Sequence, residues 1–204
     1  MSTVIEFDNE KATQALNFFA QKEGGSISKL KAVKLIWLAD RYHLRHYGRP
    51  ITNDTYCAMK FGPVGSSVKD FAECSDFLST EERSYLKKFI SSDRANNLVI
   101  SKKQVDTDVL SATDLEALNT VYQTFGKLSP TKLVKYSHDY PEWSKFKTQL
   151  ESGGSTCEVM SYTDFFANPT NQDDPFFKES PSKLKATKEA FLDNFAVASF
   201  WLAD

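Results

Sequence analysis

The chain has 204 residues, 41% of them hydrophobic and 25% charged, a composition that supports a packed core and excludes a largely disordered or collagen-like chain. Basic residues number 25 against 27 acidic ones, for a net charge of −2, so the general basic excess of a dedicated nucleic-acid binder is absent. With only 8 Gly and 7 Pro but 16 Phe, 8 Tyr and 3 Trp, the chain favours long helices over a turn-dense sandwich, and its large rings call for wide interfaces.

Residues 9–22 place Ala12, Ala15, Leu16 and Phe19 on one helical face, and Gly24-Gly25 ends that helix. From Ser28 to Tyr47 the stripe Leu30, Val33, Trp37, Leu44 and Tyr47 is joined by Leu35, Ile36, Leu38 and Tyr42. A helix apolar on several sides is a central one. Gly48 and Pro50 stop it. Residues 55–61 read as a short strand, followed by a turn at Gly62-Pro63-Val64-Gly65. Ser66 or Ser67 caps a helix through Val68 and Phe71, and Ser79 opens another with Tyr85, Leu86, Phe89 and Ile90 facing inward. Residues 97–101 form a second strand, expected to pair with the first. Ser111 to Asp114 resembles a capping box for a helix carrying Leu115, Leu118, Tyr122 and Phe125. Ser129-Pro130 opens the next helix, which stops before Pro141, and one or two turns follow around Trp143. Residues 152–181 are rich in Gly, Asn, Asp and Pro and read as loop. A last helix from about Ser182 aligns Leu184, Phe191, Phe195, Ala198 and Leu202. The fold class expected is mainly α: a compact helical domain around a buried central helix with a small antiparallel β element, α+β by strict count. Residues 1–150 form its domain, and 151–204 a loop-rich extension and C-terminal helix packed on the same body.

The three cysteines, at 57, 74 and 157, have spacings that match neither a disulfide framework nor a zinc site, which predicts reduced thiols in a cytoplasmic protein. Glu6, Asp8 and Glu10 are wrong for a secretory signal, and Asp193 and Asn194 interrupt the most apolar stretch, so no membrane association is expected. His43 and His46 lie three apart on a helix and could meet Cys57 or His138 at a metal, but those further ligands would have to come from distant segments. No metal is assigned. Cys57 beside a histidine could act as a nucleophile, yet a strand cysteine among Tyr56, Ala58 and Met59 reads better as a small buried hydrophobe. No phosphate loop, dinucleotide fingerprint, Gly-x-Ser-x-Gly or His-Glu-x-x-His is present. No cofactor and no catalytic residue are assigned.

Between residues 28 and 49, Lys29, Lys31, Lys34, Arg41, Arg45 and Arg49 face Asp40 alone, the clearest charge asymmetry in the chain. It superficially suggests a nucleic-acid-binding regulator, but the apolar centre of the same helix argues for burial. A cationic surface meeting an acidic protein partner is the other functional reading. The apolar end Phe200-Trp201-Leu202 reads as core packing, with a handle for an unfolding protease as the alternative.

The run from Lys34 to Val64, Lys-Leu-Ile-Trp-Leu-Ala-Asp-Arg-Tyr-His through Ala-Met-Lys-Phe-Gly-Pro-Val, resembles the signature of the Panacea family, the SocA-like, phage-associated antitoxin domain. The segment from Leu128-Ser129 to Trp143, with Ser137-His138 before Pro141, is similar to that family's second motif. Together they frame roughly residues 12–148, and the resemblance implies that residues 1–150 are the antitoxin domain. It also implies a type II antitoxin that binds and silences a cognate protein toxin without chemistry of its own, in some members delivering it to a cellular protease. On this reading exposed groups at Arg41, Arg45, Arg49, Lys60 and Phe61, beside the Gly62-Pro63 turn, contact the toxin, while His138 and Trp143 fix the second motif against the body.

Overall fold

The computed structural model describes residues 6–170, 174 and 176–201. Helix α1, Asn9–Lys22, starts where the Asp8 carboxylate accepts the Lys11 amide at 2.9 Å, and it buries Ala12, Ala15, Leu16 and Phe19. Gly24 and Gly25 take positive φ and turn the chain into β1, Ser26–Ser28. Ser28 caps α2, Lys29–Tyr47, and Gly48 closes it at φ +69°, a left-handed cap that costs glycine little. From Lys31 to Arg41 helix α2 is buried on every side. Leu35, Trp37, Ala39 and Leu44 are fully covered, each large apolar side chain contributing about 1.5–3 kcal/mol. Polar Lys34, Asp40, Arg41, His43 and Arg45 are covered as completely.

Strands β2, Tyr56–Met59, and β3, Gly62–Gly65, form an antiparallel hairpin in which Met59 faces Gly62, leaving Lys60 and Phe61 as its two-residue tip. Next come α3, Ser66–Glu73, and α4, Thr80–Phe89, the latter opened by a capping box between Ser79 and Glu82. Strands β4, Ile90–Asp93, and β5, Leu98–Ser101, complete one antiparallel sheet of order β1-β5-β4. Helix α5, Ala112–Phe125, has the capping box expected of Ser111 and Asp114, and α6, Pro130–Ser137, the Ser129 cap. Short helices α7, Pro141–Ser144, and α8, Lys147–Glu151, lead to β6, Glu158–Val159, a 3₁₀ turn over Tyr162–Phe166 and the last helix α9, Pro181–Trp201. Strand β6 joins the hairpin in a second antiparallel sheet of order β3-β2-β6.

The fold is thus mainly α with small antiparallel sheets, as expected. Three local expectations need correction. The strands near 57 and 99 do not pair with each other but sit in different sheets. Gly62–Gly65 is a strand, made possible because Pro63, which has no N–H to donate, lies on the sheet edge. Ile90 leaves α4 and opens β4. The cysteine reading is also overturned: Cys57 and Cys157 form a disulfide, with Cα atoms 5.5 Å apart, because β6 brings residue 157 back against β2 across a separation of 100 residues.

One hydrophobic cluster contains Leu16, Trp37, Phe125 and Trp143 together with Phe165, Phe177 and Phe191 from beyond residue 150. Among the described residues, no helix is long and apolar enough to cross a membrane. The side chains of Ala198 and of the apolar end from Phe200 lie outside the described part.

Candidate functional site

The cations of α2 are not a surface. Arg41 and Arg45, expected to be exposed, are both fully buried. Arg41 Nε donates to Glu142 Oε1 at 2.7 Å and its Nη2 to the Ala167 carbonyl at 2.8 Å, with the guanidinium 4.4 and 4.6 Å from the Tyr140 and Phe177 ring centres. Arg45 donates to the carbonyls of Phe165, Ala167 and Phe177 and to Asn168 Oδ1, all within 2.6–2.8 Å. Both side chains therefore tie down the chain at Phe165, Ala167, Asn168 and Phe177. Buried charges persist when paired and hydrogen-bonded, and here the segment after residue 150 supplies the acceptors. Lys34 is buried too: it donates to the Pro63 carbonyl, and burial holds its ammonium well below its ordinary pKa. The charge excess that suggested a nucleic-acid-binding helix is thus largely withdrawn from any phosphate.

Arg49 alone among the three arginines reaches solvent, its side chain 39% exposed, and Nη2 lies 3.0 Å from Asp114 Oδ1. It stands beyond the C-terminal end of α2, whereas the hairpin tip packs near the first turns, about 28 Å away along the helix. Of the five predicted contact residues, Arg41 and Arg45 meet in the interior at the Ala167 carbonyl, and only Lys60 and Phe61 stand side by side at the surface.

That tip is held from below. Asp40 accepts hydrogen bonds from the amides of Ile51 and Thr52, the Thr52 hydroxyl and the Tyr56 hydroxyl, fixing the path from α2 into β2. Trp143 Nε1 donates to the Met59 carbonyl at 2.9 Å, and His138 stacks on the Trp143 ring with centres 3.7 Å apart. Gly62 has φ +89°, and a Cβ there would lie 2.2 Å from Ser137 Oγ and 2.9 Å from Lys34 Nζ, so only glycine lets the hairpin approach α6 and α2 so closely. Phe61 nonetheless remains 62% exposed.

Beside it runs a groove of about 530 Å³ whose apolar walls are Leu30, Val33, Met59, Phe61, Val64 and Leu150. Its charged residues include Lys29 and Lys69, both paired with Glu73, while Lys60 makes no ion pair among the described residues. No histidine or cysteine lines it. The arrangement offers an apolar recess and a cation, a chemistry of grip. Val33 is a core residue, as helical periodicity expects, and so is Leu150, while Leu30 is 37% exposed; that the three also border a recess was not legible, because the recess forms only when the hairpin and α8 come beside α2.

The histidines have separate tasks. His43 Nδ1 donates to the Arg49 carbonyl at 2.7 Å and its Nε2 lies 2.9 Å from the Thr113 hydroxyl. His46 stacks on Tyr42 and pairs with Glu179 at 3.0 Å. With Cys57 in a disulfide, the structure does not assemble the set His43, His46, Cys57 and His138. Among the described residues, no group of three or more His, Cys, Asp or Glu could hold a metal.

Two buried groups oppose each other in acid. Burial pushes the Asp40 carboxyl up to about 6 and lowers the His43 imidazole to about 4. Between about pH 4 and 6 folded Asp40 keeps a proton that the unfolded chain has lost, so its contribution to stability falls as pH rises. Between about pH 4 and 6.5 the unfolded chain holds a proton that folded His43 lacks, so that contribution rises with pH. At about 1.36 kcal/mol per pKa unit each is worth about 3 kcal/mol, and they nearly cancel. Relative to the parent, urea denaturation of Asp40→Asn should show stability rising more steeply from pH 4 to 6.5, and His43→Gln should shift the slope between pH 4 and 6 in the opposite direction. Parallel pH profiles in the two variants would refute this opposition.

A family model described as "Antitoxin SocA-like, Panacea domain" matches residues 33–144, more than half of the chain. The match runs from the first turns of α2 to the end of α7, and so includes the hairpin, Arg41, Glu142 and Trp143. No curated protein and no solved structure matches the chain.

Proposed function

The chain belongs to the family of SocA-like antitoxins with a Panacea domain, and from that premise we propose that it neutralises a protein toxin in the cytoplasm by gripping it at the Lys60–Phe61 hairpin and the apolar groove beside it. The observation that carries this reading is Phe61: a large ring left 62% exposed on a tip whose base is anchored by buried groups. An aromatic anchor on a rigid support loses little conformational freedom on binding, and such residues dominate interface energies. Lys60 supplies a cation for an acidic rim on the toxin. Neutralisation is then steric occlusion, with no bond made or broken by this chain. Delivery of the captured toxin to a protease is a separate step, to which no residue is assigned.

Co-expression with the toxin encoded by the neighbouring reading frame tests the proposal. Phe61→Asp should weaken toxin binding about 100-fold, in line with a hot-spot loss of about 2–4 kcal/mol, and abolish rescue of growth while leaving the melting temperature within about 2 °C. Leu192→Asp, at an exposed position of α9, should leave rescue intact. Full rescue by Phe61→Asp would place the interface elsewhere. Toxin levels that fall only when a protease is present would add delivery to occlusion.

A further inference from the structure

One wall of the groove is fastened by a bond that can be opened. Leu150, Glu151, Gly153, Ser155 and Thr156 line the side opposite α2, and Cys157 follows directly. The hydrogen bonds within this stretch are local: Ser152 N to the Thr148 carbonyl, Gly154 N to the Gln149 carbonyl, and a reciprocal pair between Ser155 and Cys157. Among the described residues, its covalent and hydrogen-bonded ties to the hairpin are the Cys57–Cys157 disulfide and, just after it, the two-residue β6 ladder with the Met160 amide on the Tyr56 carbonyl. Cys157 is exposed, so a thiol in solution can reach the bridge, whereas Cys74, the remaining cysteine, is half-buried elsewhere.

We propose that the Cys57–Cys157 disulfide is a redox latch on the toxin groove: oxidised, it holds the 150–157 wall in place, and reduced, it lets that wall move and weakens binding. The proposal rests on the groove being the toxin site. Opening proceeds by thiol–disulfide exchange with a low-molecular-weight thiol or a dithiol protein. The external thiolate attacks Cys157 Sγ, a mixed disulfide forms and Cys57 leaves as a thiolate. A second external thiolate then releases Cys157, so that two electrons and two protons reach the pair while two external thiols become one disulfide. The direction of the effect follows from preorganisation, since a wall already in place need not be ordered by the partner.

Protein purified without reductant should show one titratable thiol after denaturation and three after reduction. Amide hydrogen exchange of residues 150–160 should quicken at least tenfold on adding dithiothreitol, and equally in Cys157→Ser without it, while α1 and α5 keep their rates. Reduction or Cys157→Ser should weaken toxin binding about tenfold. Three thiols before reduction, or exchange in 150–160 indifferent to reductant, would overturn the latch. So would equal toxin affinity in the two redox states, with the groove reading left standing. Absence of toxin binding in both states would overturn the groove reading and the latch with it.

Discussion

Arg41→Ala is expected to destabilise the protein by about 3–5 kcal/mol, the cost of leaving a buried carboxylate without its partner, and to lower the melting temperature by roughly 6–20 °C for a chain of this size. Glu142 is completely buried and accepts Arg41 Nε at 2.7 Å. The same guanidinium serves the Ala167 carbonyl and fills the space between Tyr140 and Phe177. Truncation therefore removes a charge partner, a donor and packing volume together. Glu142→Ala should cost a similar amount, because it strands the arginine instead. The double replacement Arg41→Met with Glu142→Leu should recover much of the loss, as apolar side chains of similar volume often replace buried ion pairs without penalty. Chemical denaturation of Arg41→Met, Glu142→Leu and the double variant, beside the parent, measures the coupling. An Arg41→Ala protein within 1 kcal/mol of the parent would show that the pair contributes little.

Arg41 also marks the boundary of what could be read from the residues alone. Helix caps are local: Ser111 with Asp114, Ser129 before Pro130 and Gly48 after Tyr47 each involve neighbours within a few positions, and each stands where the residues predicted it. The central position of α2 was legible for a related reason, since an apolar surface on several sides has few places to go. The fate of its cations was not. Arg41 meets the Ala167 carbonyl 126 residues later, and Arg45 meets that of Phe177 132 residues later. Counting charge along a segment treats each cation as solvated, and nothing near it in sequence reveals the acceptors that bury it. Cys57 and Cys157 were misread in the same way, their partnership depending on β6 returning to the hairpin.

The two errors share a consequence for the candidate site. With Arg41 and Arg45 directed inward, the residues around the hairpin divide into those that hold it and those that it presents. Lys34, Asp40, Gly62 and Trp143 fix its base, and Lys60 and Phe61 stand on its tip. Lys60 and Phe61 were legible as candidates because they abut Gly62-Pro63. The groove walls were not, because they come from α2, the hairpin and α8, three segments that only the fold brings together.

This division makes Trp143 the most informative position after Arg41. Trp143→Ala should cost about 3–5 kcal/mol, the range for removing a large buried aromatic side chain, given that Trp143 is 1% exposed and stacked on His138. Trp143→Phe separates packing from positioning. The phenyl ring keeps much of the volume but cannot donate to the Met59 carbonyl, so the loss should be nearer 1–3 kcal/mol, the cost of an unpartnered buried polar group. That carbonyl belongs to the last residue of β2 before the tip. If the tip must be held to grip a toxin, Trp143→Phe should weaken binding about tenfold at a temperature where the variant is fully folded, and amide exchange at residues 60–64 should quicken while α5 stays unchanged. Toxin affinity equal to the parent's, measured on folded Trp143→Phe, would mean that the tip needs no anchor and that Phe61 binds from a mobile loop.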